Sequence, residues 1–167
     1  MPKKRKYLVI HCTATQEGMP VTPEMIKAWH TLPPPRGRGW KQVGYSKLIL
    51  LDGSVHSFVE ENDDPFVDAY EITNGVAGIN SESMHICYVG GLDKYLNPKD
   101  TRNEAQKLRM RILIYEALQK WPDLLVAGHY HFANKACPSF DVEKWLAETG
   151  ILEKNIYRKL KGKKNAT

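Results

Sequence analysis

The stretch HYHFANKACPSFD, residues 129–141, places His129, His131, Lys135 and Cys137 within thirteen positions. Imidazole and thiolate are strong zinc ligands, and a cysteine with a histidine near it is also the composition of a thiol hydrolase. Three readings stay open for this stretch. It can be part of a metal site. It can hold a Cys137 nucleophile activated by a histidine, with Lys135 lowering the thiol pKa. Or it can be a buried strand end in which the cysteine is a small hydrophobe.

A second histidine outside the stretch bears on the choice. His11 closes the apolar run of YLVIHC, residues 7–12, and His129 follows the apolar run LLVAG. If these two strands are neighbours, their imidazoles converge, and Cys137 returns to them after a seven-residue loop. Two neutral imidazoles and a thiolate suit Zn²⁺, with Zn–N at ~2.0–2.1 Å and Zn–S at ~2.3 Å. Three protein ligands with a fourth position open to water are the arrangement of a catalytic zinc. Against the nucleophile reading, Pro138 and Ser139 separate Cys137 from the next helix start, so no helix N-terminus directly supports a thiolate there. Cys12 and Cys87 lie within apolar runs and read as core. His131 lies on the same face as His129 if that strand continues, as an alternative ligand or a supporting group.

The elements that must position these residues are legible in part. YLVIHC reads as a buried strand. Thr22 and Pro23 form an N-cap and first-position pair for a helix through VTPEMIKAWH, stopped by Pro33–Pro35, and His30 at its end reads as packing. Asp52-Gly53 lies between two strand-like runs and predicts a hairpin, with Tyr45 at the entry of its first strand. NGVAGINSES is an ordered loop, and MHICYVGG is another buried strand carrying His85. Residues 100–121 predict a helix, with Thr101 and Glu104 at capping-box spacing and an apolar stripe of Ala105, Leu108, Ile112, Tyr115 and Leu118. DLLVAGHYH predicts a strand, and residues 140–149 a last helix with Gly150 as its C′ residue. The alternation predicts a single α/β domain over residues 7–150, with a central mixed, mostly parallel sheet flanked by helices, and a basic tail over 151–167.

Composition narrows the function classes. A chain of 167 residues is long enough for one domain with its own core. Three cysteines make a poor disulfide framework and point to a reducing compartment or to metal and thiol chemistry. The net charge of +5 is uneven: residues 3–6 carry +4 and the stretch from Glu153 onward +5, leaving the body at −4. Nucleic acid is therefore not the expected partner, because a reader of it carries positive charge on a structured face. The PKKRK run is read as solvated charge beside a strand, in preference to an import signal. No segment approaches the roughly 18 apolar residues of a membrane span, and the short apolar run after the basic start does not make a secretory signal. The expectation is a monomer made in the cytoplasm.

Four segments in order, VIHCTAT (9–15), VGYSKLI (43–49), GINSESMHICYVGG (78–91) and GHYHFANKACPSFDVEKW (128–145), resemble the zinc-dependent N-acetylmuramoyl-L-alanine amidases. The similarity is to the small amidase-type lysozymes of bacteriophages and to peptidoglycan recognition proteins. The resemblance implies that His11, His129 and Cys137 hold zinc and that Tyr45 and Lys135 are catalytic. It implies peptidoglycan as substrate, cut at the amide between N-acetylmuramic acid and L-alanine, with the protein acting as an endolysin on the cell wall after release. Trp40 and Asn74 are candidate substrate contacts, and Trp40 equally reads as an aromatic anchor for its loop. The family often has histidine where this chain has Ser46, and a histidine or similar polar residue near Asn74 and Gly75. Two other functions remain beside hydrolysis by zinc: a peptidoglycan-binding module without catalysis, which typically lacks the cysteine ligand, and a cysteine hydrolase using Cys137.

Overall fold

Strands Tyr7–Cys12 (β1) and Ser83–Tyr88 (β4) are buried along their whole length, which explains why neither alternates apolar with polar residues. They lie side by side and parallel at the centre of a five-stranded sheet. With Lys47–Ile49 (β2), Val55–Ser57 (β3) and Leu125–Gly128 (β5), the order is β3-β2-β4-β1-β5, and only the β2–β3 hairpin is antiparallel. This computed structural model describes residues 1–159. The expected α/β class with a mixed, mostly parallel sheet is the class observed.

Helices cover both faces, and the strand pleat sorts side chains between them. Leu8, Ile10 and Cys12 of β1 and Met84, Ile86 and Tyr88 of β4 pack on one face against Met110 and Ile114 of Glu104–Lys120 (α2) and against Val142 and Leu146 of Val142–Glu148 (α3). On the other face Leu48 and Cys87 pack against Ile26 of Pro23–Thr31 (α1), and Val9 packs on Val76. The period of two then places His11 and His85 on this second face, side by side on neighbouring strands.

Local signals set several boundaries. Thr22 accepts a hydrogen bond from Met25 N–H (3.2 Å) with Pro23 in the first helical position. Gly150 has φ +82° just beyond α3, the left-handed conformation that ends the helix without a Cβ penalty. The Asp52-Gly53 pair turns the hairpin, with Asp52 Oδ1 accepting from Ser54 N–H (2.9 Å).

Elsewhere the fold departs from the pattern in the sequence. The cap of α2 is Asn103 with Gln106, not Thr101 with Glu104; the Thr101 hydroxyl instead accepts from Gly91 N–H (2.8 Å). The buried stripe of α2 is Gln106, Met110, Ile114 and Ala117, while Leu108 is 60% exposed. This helix carries apolar residues on more than one face, so its rotation is chosen by the sheet: Gln106 Nε2 donates to Val89 O (2.9 Å) and draws that face inward. α3 starts at Val142, behind the Asp141 cap, and not at residue 140. The last sheet strand ends at Gly128, and His129–His131 form a 3₁₀ turn.

Both ends of the body reach further than their charge suggests. Arg5, inside the basic run read as solvated, is buried; its guanidinium pairs with buried Glu71 (2.9 Å) and stacks 4.3 Å from the Trp121 ring. Past the expected boundary at residue 150, Ile151 and Ile156 enter the core and Tyr157 packs edge-on against Tyr7. Apolar burial overrides the basic composition there. The tail residues from 160 onward lie outside the described residues.

Candidate metal centre

The parallel strands β1 and β5 end at one edge of the sheet, the edge where α/β folds build sites. His11 is the penultimate residue of β1, and His129 is the first residue after β5. Cys137 is returned beside them by the loop after the 3₁₀ turn, pinned where Tyr130 N–H donates to Cys137 O (2.9 Å). Pro138 follows, and its carbonyl accepts from the buried Tyr88 hydroxyl (2.7 Å). The ligand atoms of His11, His129 and Cys137 all lie within 4.8 Å of one another. They form one three-residue cluster capable of holding a metal among the described residues.

The donor set fits a divalent ion. His11 Nδ1 and Cys137 Sγ are 3.9 Å apart, against ~3.6 Å for nitrogen and sulfur in a tetrahedral zinc shell. Burial lowers the pKa of His11 well below the usual imidazole value, with neighbouring His85, His129 and Lys135 adding to it. Burial, with Lys135 nearby, brings His129 down to about 4. Both rings are therefore neutral near pH 7 and keep a lone pair for a metal. The neighbouring Cys12 group and burial push the Cys137 thiol up, and a cation at the cluster would ionise it.

Around the cluster opens a cleft of about 720 Å³. Tyr45, Lys135, Trp40 and Asn74 all line it, together with His11, His129 and Cys137. The Tyr45 ring lies 5.3 Å from that of His11, and its hydroxyl pKa is raised well above the usual value by burial and by the thiols of Cys87, Cys137 and Cys12. Lys135 is exposed on the loop before Cys137. The Trp40 ring packs on His30 at 4.9 Å and carries Arg38 over its face, so it is both loop anchor and cleft wall. Asn74 is held to the segment that follows Trp40, its N–H donating to Val43 O (3.0 Å).

Two histidines behave otherwise than as ligands. His131 turns away from the cluster: its Nδ1 accepts from Gly128 N–H (3.0 Å), and its Nε2 meets Glu143 Oε1 (2.9 Å) on α3. The alternative-ligand reading assumed that the strand continues to residue 131, and the 3₁₀ turn removes that premise. His30 packs as expected, with Nδ1 accepting from Gly44 N–H (2.9 Å). Ser46 does not face the cleft; it is buried, and its hydroxyl accepts from His85 N–H (3.2 Å).

One residue at the centre escaped the sequence reading. His85 reads as core because it sits inside an apolar strand, yet its Nδ1 is 2.9 Å from His11 Nε2. Only the parallel register of β4 on β1 reveals this contact, and nothing local in MHICYVGG signals it.

Comparison with known proteins agrees with this geometry. The sequence model of the family described as N-acetylmuramoyl-L-alanine amidase matches residues 1–140. The endolysin of Klebsiella phage KP32 is 33% identical over 138 residues, covering 83% of this chain and 83% of that protein. The endolysin of Escherichia phage T7 is 30% identical over the same length and the same shares. Among solved structures, the Ph2119 endolysin from a Thermus scotoductus bacteriophage superposes with a TM-score of 0.68 at 24% identity, covering 90% of this chain and 87% of that one. The N-acetylmuramoyl-L-alanine amidase LysC of Clostridium intestinale gives 0.64 at 19% identity, with 89% and 87% covered. At these identities the structural matches bear on the fold alone.

Proposed function

Because the chain belongs to the N-acetylmuramoyl-L-alanine amidase family, we propose that it hydrolyses the amide between N-acetylmuramic acid and L-alanine in bacterial peptidoglycan, using zinc held by His11, His129 and Cys137. The observation that carries this reading is the convergence of those three ligand atoms on the floor of the cleft. The ion supplies Lewis acidity, polarising the scissile carbonyl and bringing the pKa of the attacking water toward ~7.

The remaining chemistry falls to side chains of the cleft. Tyr45, kept protonated by burial, serves as a hydrogen-bond donor to the reacting oxygen atoms and not as a phenolate base. Lys135, at the exposed rim, brings its ammonium to the negative charge that develops on the amide oxygen. Trp40 and Asn74, neighbours in the cleft lining on either side of Gly44, orient the saccharide and the peptide stem. No described helix is long and apolar enough to cross a membrane.

The rival readings fare worse. A cysteine hydrolase gains from a helix N-terminus behind its thiol, and Cys137 lies in the loop before the Asp141 cap of α3. A module that only binds has no use for a complete ligand set beside a tyrosine that lines the cleft.

The test is metal analysis of the purified protein together with release of stem peptides from purified cell walls, with and without a chelator. Zinc near one per chain and release abolished by its removal are expected. Full activity after complete metal removal would overturn the reading and favour the thiol.

A further inference from the structure

The buried contact between His11 and His85 continues as a chain of hydrogen bonds with only one possible direction. At its far end Val76 N–H, a backbone group that can only donate, is 2.8 Å from the side chain of Asn80. The atom it meets must be the carbonyl oxygen Oδ1. The same oxygen is 3.0 Å from His85 Nε2, so that nitrogen must carry a proton. A neutral His85 then presents a bare Nδ1 to His11 Nε2, 2.9 Å away, and His11 must donate. His11 is left with its proton on Nε2 and its lone pair on Nδ1, the atom that faces Cys137 Sγ.

We infer that His85 and Asn80 are positioning residues for the metal centre, fixing the tautomer and ring orientation of His11 through a relay that starts at the Val76 backbone. This inference rests on the metal reading above. A ligating histidine generally donates its second N–H to an acceptor that orients it. Here the acceptor is another histidine, delivered by the neighbouring strand, in place of a carboxylate or a backbone carbonyl.

The relay also accounts for Gly75. A Cβ at that position would lie 2.3 Å from His85 Nδ1 and 2.4 Å from its Cγ, so the imidazole occupies the space of the missing side chain. Gly75 and Val76 line the cleft beside Asn74, and Asn80 lines it too. The segment Gly75–Val76 of the cleft lining is thereby tied to a metal ligand through two side chains, and its position and that of His11 are set together.

Three readouts test the inference separately from the function. In the metal-free protein, ¹⁵N imidazole NMR is expected to show His11 as the Nε2–H tautomer; an Nδ1–H tautomer in the wild type overturns the relay. His85→Leu keeps bulk but removes the acceptor. It is expected to weaken zinc binding about 10- to 100-fold in chelator competition and to alter the visible spectrum of the cobalt(II)-substituted protein. His85→Gln, with an acceptor and a donor on one planar group, should recover much of both. Unchanged zinc affinity and cobalt spectrum in a folded His85→Leu protein would overturn the inference. If the wild type binds no zinc but His11 is the Nε2–H tautomer, the metal reading fails while the relay stands.

Gly75→Ala supplies a check by another route. It should weaken zinc binding in the wild type but have little effect in a His85→Ala background, where the ring it displaces is gone. Equal effects in both backgrounds would count against the proposed coupling.

Discussion

His11 Nδ1 and Cys137 Sγ lie 3.9 Å apart although 126 positions separate them in the chain. The Cys12 backbone N–H also points at that sulfur, from 3.3 Å, so the tip of β1 contributes both a ligand and a hydrogen bond to the thiolate. Cys137→Ser exchanges a soft thiolate for a hydroxyl that stays protonated at neutral pH. Metal content and stem-peptide release are both expected to fall by at least about 10²-fold. Retained zinc with full turnover would remove Cys137 from the ligand set.

Tyr45 is predicted to act after binding. Tyr45→Phe keeps the ring against His11 and loses only the hydroxyl, so zinc stoichiometry should be unchanged while kcat drops about 10²-fold, the usual cost of one well-placed donor. Because burial holds this hydroxyl well above its ordinary pKa, the substitution should leave the pH limbs of kcat/KM where they are below pH 9. A limb that vanishes in the phenylalanine variant would mark Tyr45 as a titrating base.

Removing the charge of Lys135 should have two separable effects. Cleavage in Lys135→Ala is expected to fall by about 10²-fold with zinc retained. In the metal-free protein, the pKa of His129 should move upward from about 4, since the ammonium is one cause of its depression. NMR titration of the imidazole checks the second effect, and an unmoved His129 would place the ammonium farther away than its loop suggests.

His30 should contribute to acid sensitivity alongside the other imidazoles lowered by burial, His11, His85 and His129. Burial, with Arg38 nearby, lowers the pKa of His30 from 6.5 to about 4. Below pH 6.5 the unfolded chain takes up a proton at this residue that the folded chain refuses, so stability falls as pH drops from about 6.5 to about 4 and the contribution is intact above. Protonation would also cost the Gly44 N–H its acceptor. For the metal-free protein, His30→Asn retains a side-chain acceptor without titrating and should flatten the Tm–pH curve in that window; an unchanged slope would place the acid sensitivity elsewhere.

Glu71 ties the segment before β1 to the loop of residues 62–68. Its carboxylate accepts from Arg5 (2.9 Å), from Asn62 N–H (3.0 Å) and from Asp68 N–H (2.7 Å), the first of these fully buried. Glu71→Ala leaves the Arg5 guanidinium buried without its partner, and urea unfolding should show a loss of about 3–5 kcal/mol. Stem-peptide release by the folded fraction should be unaffected, because Glu71 does not line the cleft.

Much of the site can be read from the chain alone. His11, His129 and Cys137 were recoverable because a polar ligand at the end of an apolar run, or after a tight loop, breaks the local pattern. Thr22-Pro23 and Gly150 were recoverable because helix ends are decided by the adjacent backbone. Residues whose role depends on a distant partner were not. Arg5 looks solvated until Glu71 and Trp121 are found around it. The face of α2 that enters the core is chosen by the sheet, because its apolar residues permit more than one rotation.

By itself the sequence determined the α/β class, most element types and a short set of candidate ligands, since propensities, caps and side-chain donors are properties of short segments. Tertiary structure alone decided that β4 lies parallel to β1 in a register that sets His85 against His11, and that His131 turns toward α3. Both depend on which strands pair and where they stop, and those choices are fixed by burying the whole core at once, not by any local run of residues.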